Sequence, residues 1–374
     1  METKLSRRDF VKSTAILGAA AAMMPSALAQ ADDAATTTIA FVGCAHIHTP
    51  DFMNKMKERK DVKVKYCYDH DPERAKKWAD FQKCEALSDS ADKVWNDPEV
   101  QAVVICSETN RHEPLVKAAA KAKKHAFIEK PMGISAKDSY AMAKALEDAG
   151  VLYTTGYFMR TDPKHIFLKE QVANGAFGKI TRASAWNCHS GSLGHWFDTD
   201  WRWMADVSQS GCGGFGDLGT HMLDILMWIF GDVERATADI QISVGNYGPT
   251  DEMGQGLLHF KNGLTATLTA GWVDIECPVT LMISGTEGHA IIDRGDLYFR
   301  SSKVQGADGR EPWTKLPKSP ALPIHQFINA VQGKKDEPLL TPMEAAKRVA
   351  VMEAMYKGSK KETWVDVTYE SFLI

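Results

Sequence analysis

Between residues 38 and 155, short apolar runs alternate with helix-length amphipathic segments, and this rhythm restricts the chain more than any other feature. The apolar runs at 38–42, 62–68, 102–106, 126–128 and 151–155 read as strands. The intervening stretches at 50–59, 72–83, 113–123 and 135–149 read as helices. Ser135 supplies an N-cap for the last helix and Gly150 a stop. Strand and helix in this order build a doubly wound parallel sheet of the Rossmann type. After Gly156 the rhythm changes. A helix over 163–174 and a strand over 179–187 lead into a Trp- and Gly-rich loop and an apolar helix over 221–230. Strands then dominate, at 236–244, 255–260, 264–273, 279–284, 289–293 and 297–300. Asn262-Gly263 and Arg294-Gly295 have the composition of tight hairpin turns. The expected architecture is α/β: an N-terminal parallel sheet over 38–156, then an α+β domain over 157–374. That second domain carries a large, mostly antiparallel sheet and a final helix over 342–356.

A length of 374 residues agrees with two domains. A formal charge of −4 without any basic stripe excludes a nucleic-acid footprint. The first 29 residues read as an address. Ser6-Arg7-Arg8-Asp9-Phe10-Val11-Lys12 is a twin-arginine export signature, followed by an apolar run over 14–24 too short for a permanent span. Ala27-Leu28-Ala29 is a cleavage site, so the mature chain is expected to start at Gln30 with a polar leader to residue 37. Loss of Lys4, Arg7, Arg8 and Lys12 with Glu2 and Asp9 takes the formal charge from −4 to −6. The expected location is the periplasm, with no membrane attachment after cleavage. The seven cysteines contain no C-x-x-C, and Cys44, Cys67 and Cys106 fall within strand patterns, which predicts buried, unpaired thiols.

Where the fourth strand ends stands Ile128-Glu129-Lys130-Pro131-Met132-Gly133. Pro131 removes a donor and holds Lys130 out of the helical region, so a charged pair sits at a strand's carboxyl end, where open parallel sheets bind ligands. A dinucleotide loop belongs after strand one, and Gly43-Cys44-Ala45-His46-Ile47-His48 occupies that place. Gly43 can make the tight turn and Ala45 can face a diphosphate, but His48 replaces the third glycine of G-x-G-x-x-G. Asp69, 26 residues beyond Gly43, ends strand two where a carboxylate can accept from an adenosine ribose. With no Arg or Lys directly after it, NAD is favoured over NADP. His46 and His48 could share one side of an extended turn. Two imidazoles without a third clear ligand do not make a metal site, so contact with cofactor phosphate or substrate is expected and no metal is assigned.

Two further stretches complete the pattern: 103–112, containing Ser107, Thr109, Asn110 and His112, and Gly213-Gly214-Phe215-Gly216-Asp217-Leu218-Gly219-Thr220-His221-Met222-Leu223-Asp224. With Glu129-Lys130-Pro131, these resemble the Gfo/Idh/MocA oxidoreductases over residues 38–365. The resemblance implies NAD(P) in the first domain and a sugar or cyclitol against the second domain's sheet. It also implies homo-oligomerisation through that sheet. Gly43, Ala45, His46, His48, Asp69, Ser107, Thr109, Asn110, His112, Glu129 and Lys130 are the expected cofactor contacts. Lys130 matches the family lysine between nicotinamide and substrate, and Asp217 with His221 matches its D-x-x-x-H pair. On chemistry alone, a near-neutral histidine can take a hydroxyl proton while Lys130 stabilises the developing negative charge. Asp217 and His221, four apart at a helix start, share one face. Tyr157, Arg160, Trp201 and Arg202 are further expected substrate contacts. The aromatic loop around Trp196, Trp201 and Trp203 suits flat sugar faces and suits packing equally.

A periplasmic location would leave released NADH without a recycling pool. The expected activity is therefore sugar, sugar-derivative or cyclitol oxidation with a tightly held, internally recycled cofactor. A redox-neutral glycosidase, lyase or epimerase on the same site, and a non-catalytic sugar-binding relative, are the alternatives.

Overall fold

The strand over Thr37–Cys44 (β1) is buried along its whole length, because helices cover both faces of the sheet it centres. The computed structural model describes residues 36–370; the export signature, the cleavage site and the leader up to residue 35 lie outside the described residues. Next come α1 (Thr49–Glu58), β2 (Val62–Tyr68), α2 (Pro72–Gln82), β3 (Glu85–Leu87), α3 (Asp92–Asn96) and β4 (Ala102–Cys106). They are followed by α4 (His112–Lys121), β5 (His125–Ile128), α5 (Ala136–Ala149) and β6 (Tyr153–Thr155). All strands run parallel in the order β3-β2-β1-β4-β5-β6, the doubly wound arrangement with its switch point between β1 and β4. Alternation sorts the side chains. Ile39 and Phe41 pack towards Phe52, Met53 and Phe127, whereas Ala40 and Val42 face Val103, Ile105, Ile128 and Leu146. Ser135 caps α5 through a reciprocal box with Asp138, and Gly150 ends it in the left-handed region.

The second half contains α6 (Pro163–Ala173), β7 (Ile180–Cys188), α7 (Val207–Ser210), α8 (Gly214–Phe230), β8 (Val233–Gln241), β9 (Met253–Phe260) and β10 (Thr265–Gly271). Then follow β11 (Val279–Gly285), β12 (Gly288–Asp293), β13 (Asp296–Ser301), α9 (Pro323–Val331), α10 (Pro342–Lys361) and β14 (Val365–Asp366). Its sheet has the order β13-β12-β11-β7-β10-β9-β8-β14, antiparallel except where β10 meets β7. Both expected hairpins are present, with Gly263, Arg294 and Gly295 at positive φ.

Two departures from expectation bear on the site and its setting. α8 starts at Gly214, seven residues before the predicted His221. The glycines that read as loop are there because the helix is pressed against its surroundings: a Cβ on Gly214 would lie 2.4 Å from the Glu252 carbonyl oxygen, and one on Gly216 would lie 2.4 Å from the Cys212 Cβ. The helix start is held by Asp251, which accepts the Gly213 and Phe215 N–H groups (3.0 Å each) and the Tyr356 hydroxyl. The second departure is α9, which returns to the first sheet, where Ile324, Phe327 and Ile328 join Phe41 and Phe127. The N-terminal half of α10 does the same through Ala345, Ala346 and Val349. Parts of the second half thus pack into the cores of the first sheet, within one compact unit.

Gly43 turns β1 out of the sheet at φ +84°, with the backbone and Cβ of Ser107 2.4–2.7 Å from where its own Cβ would be. Gly295 has a similar φ (+86°) but open space around it. Gly43→Ala is expected to destabilise the chain by about 3 kcal/mol or more, and Gly295→Ala by about 1–2 kcal/mol. Urea unfolding of both variants measures the difference.

Candidate active site

The carboxyl ends of β1, β4 and β5 and the first turns of α8 bring ionisable side chains together. Glu129 and Lys130, 0% and 2% exposed, follow β5 directly, with a cis bond between Lys130 and Pro131. The Lys130 ammonium donates to Asp217 Oδ1 at 2.8 Å, and the Trp272 indole N–H donates to Oδ2 at 3.0 Å. Burial opposes ionisation of Asp217, but Lys130 overcomes it and holds the carboxyl at about 2. The same pairing raises Lys130 against its own burial. One helical turn on, His221 is 4% exposed, with an unpartnered Nδ1 and with Phe158 and Tyr157 rings at 5.1 and 6.0 Å. Burial first, and then Lys130, pushes its pKa well below the usual histidine value, so the ring is a neutral base. Burial also keeps nearby His189 low.

The loop after β1 reaches the same place. His48 Nδ1 donates to Glu129 Oε1 at 2.9 Å, while His46 lies behind it with Nδ1 accepting the His48 N–H at 3.1 Å. Burial pushes the His46 pKa well below the usual value. Among the described residues, the ligand atoms of His46, His48 and Glu129 all lie within 4.8 Å of one another. Glu129 is thus a third ligand-type group beside the two histidines. Linear distance hid it, because β1 and β5 meet only through the sheet.

Other expected site residues are engaged elsewhere. Asp69 is fully buried: Oδ2 accepts the Cys44 N–H at 2.7 Å, and Oδ1 accepts the Asp71 N–H and the Arg74 guanidinium at 2.9 and 2.8 Å. Both oxygens are thus already engaged within the chain. Arg74 folds back from α2 to pair with both Asp69 and Glu108. Arg160 is not a free cleft residue. Its guanidinium grips Asp224 through two bonds of 2.7 and 2.6 Å, and Arg348 binds the same carboxylate. The hydroxyl of Tyr157 is taken by Thr220 at 2.8 Å. His112 faces the carbonyls of Met132 and Ser107 and ties the β4–α4 loop to the turn after β5. Ser107 is buried against Glu108 O, and exposed Asn110 donates to Ser208 O. Thr109 faces a small gap of about 10 Å³ that it shares with His46, Trp203 and Asp217.

The aromatic loop divides. Trp201 is half-buried against the second-domain core. Arg202 is exposed over the Tyr247 ring and 3.5 Å from Asp198. Trp203, which the sequence did not single out as a site residue, inserts into the nucleotide loop. Its indole donates to the Ala45 carbonyl at 3.1 Å and its ring lies 5.9 Å from His46. Trp272 and Glu252 were also missed. Glu252 is wholly buried and collects the N–H groups of Ser243, Val244, Gly245 and Asn246. Neither residue stands in a recognisable motif.

Comparison with known proteins agrees with this geometry. Residues 37–157 match the oxidoreductase family model with an NAD-binding Rossmann fold, and residues 165–291 match the GFO/IDH/MocA C-terminal domain. The chain belongs to the GFO/IDH/MocA family, the NAD(P)-dependent oxidoreductases that these two domains define. Levoglucosan dehydrogenase of Pseudarthrobacter phenanthrenivorans is 23% identical over 325 residues, 73% of this chain and 81% of that protein. A levoglucosan dehydrogenase structure with NADH and levoglucosan superposes with a TM-score of 0.73 at 20% identity, covering 89% of this chain and 99% of the other. Myo-inositol 2-dehydrogenase of Thermotoga maritima is 35% identical over 174 residues, 45% of this chain and 48% of that protein. The 2,7-anhydro-N-acetylneuraminate hydratase of Escherichia coli is 30% identical over 233 residues, 60% of this chain and 59% of that one. The chain is therefore an NAD-binding oxidoreductase of this family.

Lys130→Met would leave the Asp217 carboxylate buried without its cation, a loss of about 3–5 kcal/mol. Asp217→Asn is expected to cost less at neutral pH. Because the folded Asp217 carboxyl lies at about 2, below its ordinary 3.8, its ion pair contributes stability above pH 4 and loses it as the pH falls towards 2. Denaturant unfolding of wild type and Asp217→Asn should therefore show a stability gap at pH 5 that narrows below pH 4.

Proposed function

We propose that the protein oxidises a secondary hydroxyl of a sugar, sugar derivative or cyclitol in the periplasm, with NAD(H) held through turnover. The observation that carries this reading is the buried Lys130–Asp217–His221 group at the carboxyl end of the parallel sheet. NAD supplies a hydride acceptor when bound. The unpartnered nitrogen of neutral His221 accepts the hydroxyl proton, and Lys130 stabilises the oxygen as it becomes negative. Asp217 fixes the ammonium in place and, clamped by Trp272, keeps the helix face towards it. Apolar Phe158 and Tyr157 restrict water at the base.

The residues fit the redox end of such a cofactor: an orphaned base beside a fixed ammonium, and a glycine turn at the switch point. The adenosine end is occupied by the Asp69–Arg74–Glu108 contacts, and Trp203 covers the loop at Ala45. Insertion of the whole dinucleotide requires that covering segment to move outward. Such a cover supports a cofactor that, once in, leaves slowly. The twin-arginine signature supports export after the cofactor is acquired. The helix-free face of the second sheet, with half-exposed Leu257, supports self-association.

A second reading is turnover without net oxidation, in which the same hydroxyl is oxidised and restored around an elimination or hydration. The similarity to a protein named as a hydratase favours it.

Protein purified from the cytoplasm and denatured is expected to release close to one equivalent of NAD(H), and added sugars should change the nicotinamide absorbance of the intact enzyme. An empty protein that also ignores added nucleotide contradicts the reading. Since His221 is held neutral well below its usual value, kcat/KM should not fall as the pH drops from 8 to 6. His221→Ala should lose about 100-fold or more in kcat while retaining nucleotide.

A further inference from the structure

The loop after β1 places two imidazoles against a carboxylate in a way that a simple hydrogen-bonded cluster does not explain. His46 Nδ1 accepts the His48 N–H at 3.1 Å. Glu129 Oε1, also an acceptor, stands 3.9 Å away. The ligand atoms of His46, His48 and Glu129 all lie within 4.8 Å of one another. Glu129 Oε2 is buried with no hydrogen-bond partner, backed by Gly156, where a Cβ would lie 2.6 Å from it. The fixed cation next in sequence, Lys130, is turned to Asp217. The second oxygen of this buried carboxylate therefore lacks the compensation such groups normally have.

We propose that His46, His48 and Glu129 bind one divalent transition-metal ion. Two imidazoles and one carboxylate are the donor set of open zinc and non-haem iron or manganese sites, which leave positions for an exogenous oxygen. The ligand positions are fixed by the sheet, because the His46 N–H donates to Cys106 O and the Glu129 N–H to Ile105 O, both at 2.9 Å. His48, 31% exposed, borders a cavity of about 210 Å³ lined by Phe52, Phe127, Gly156, Phe158 and Pro323. That cavity gives an ion a route in and room for a further oxygen ligand. A turn of the His48 ring away from its 2.9 Å bond to Glu129, and release of the His48 N–H by His46 Nδ1, admit the ion. The proposal goes beyond the oxidoreductase reading and does not depend on it.

The test is titration of the chelator-treated, desalted chain with Co2+, read by the metal's own d–d absorption, with Zn2+ as competitor. One equivalent should bind and be displaced by one equivalent of Zn2+. His48→Ala and Glu129→Gln should each weaken binding by at least about 100-fold, no less than the loss of a supporting outer-shell partner costs. Circular dichroism should show both variants folded. Absence of a stoichiometric band would overturn the proposal, as would binding that survives both substitutions. Loss of binding in Cys84→Ser with a sulfur charge-transfer band would also overturn it, placing the ion at the Cys67–Cys84 pair, whose sulfurs are 3.5 Å apart. None of these readouts involves nucleotide or sugar, so their failure is separate from failure of the proposed activity.

Discussion

The contact between Lys130 and Asp217 is the constraint on which the rest of the site depends. One charge comes from the end of a strand in the parallel sheet, the other from the first turn of a helix lying on the antiparallel sheet. Removing both from water costs several kcal/mol per ion, and only a short, well-supported pair recovers that. The support is visible on both sides. Asp251 and Tyr356 anchor the start of α8, and glycines let it approach the strands. Trp272 takes the second oxygen of Asp217. His112 steadies the turn that carries Lys130.

The same burial that makes the ion pair demanding also sets the state of the histidines. His46, His112, His189 and His221 are all pushed towards the neutral form chiefly by loss of water, with Lys130 adding to the effect on His46, His189 and His221. A crevice with one fixed ammonium and several neutral imidazoles is suited to removing protons from weakly acidic hydroxyls. The first-domain loop, with Trp203 against Ala45 and His46, closes this crevice on the nucleotide side.

Much of this was legible in the sequence, for identifiable reasons. Apolar runs alternating with capped helical stretches gave the parallel unit, and β2 and β4 fall on their predicted residues because turn signals bracket apolar runs there. Glu129, Lys130, Asp217 and His221 could be singled out because proline and glycine mark their turns. What was hidden depended on tertiary neighbours. The start of α8 read as loop because glycines demanded by close packing look like glycines demanded by turns. Asp69 and Arg160 looked like ligand groups until Arg74, Cys44 and Asp224 were seen to occupy them. Trp203 and Glu129 reach the His46–His48 loop from 158 and 81 residues away, distances no local pattern encodes.

The central claim is that hydride leaves a substrate carbon at the Lys130–Asp217–His221 group. A single turnover with a sugar deuterated at its carbinol carbons, followed by mass analysis of the nucleotide, tests it directly. The account predicts deuterium on the nicotinamide in the wild-type protein, retained after a net oxidation and present only in early-quenched samples where the hydride is later returned, and little or none in Lys130→Met. Product formed by the wild type with no label reaching the nucleotide would contradict it.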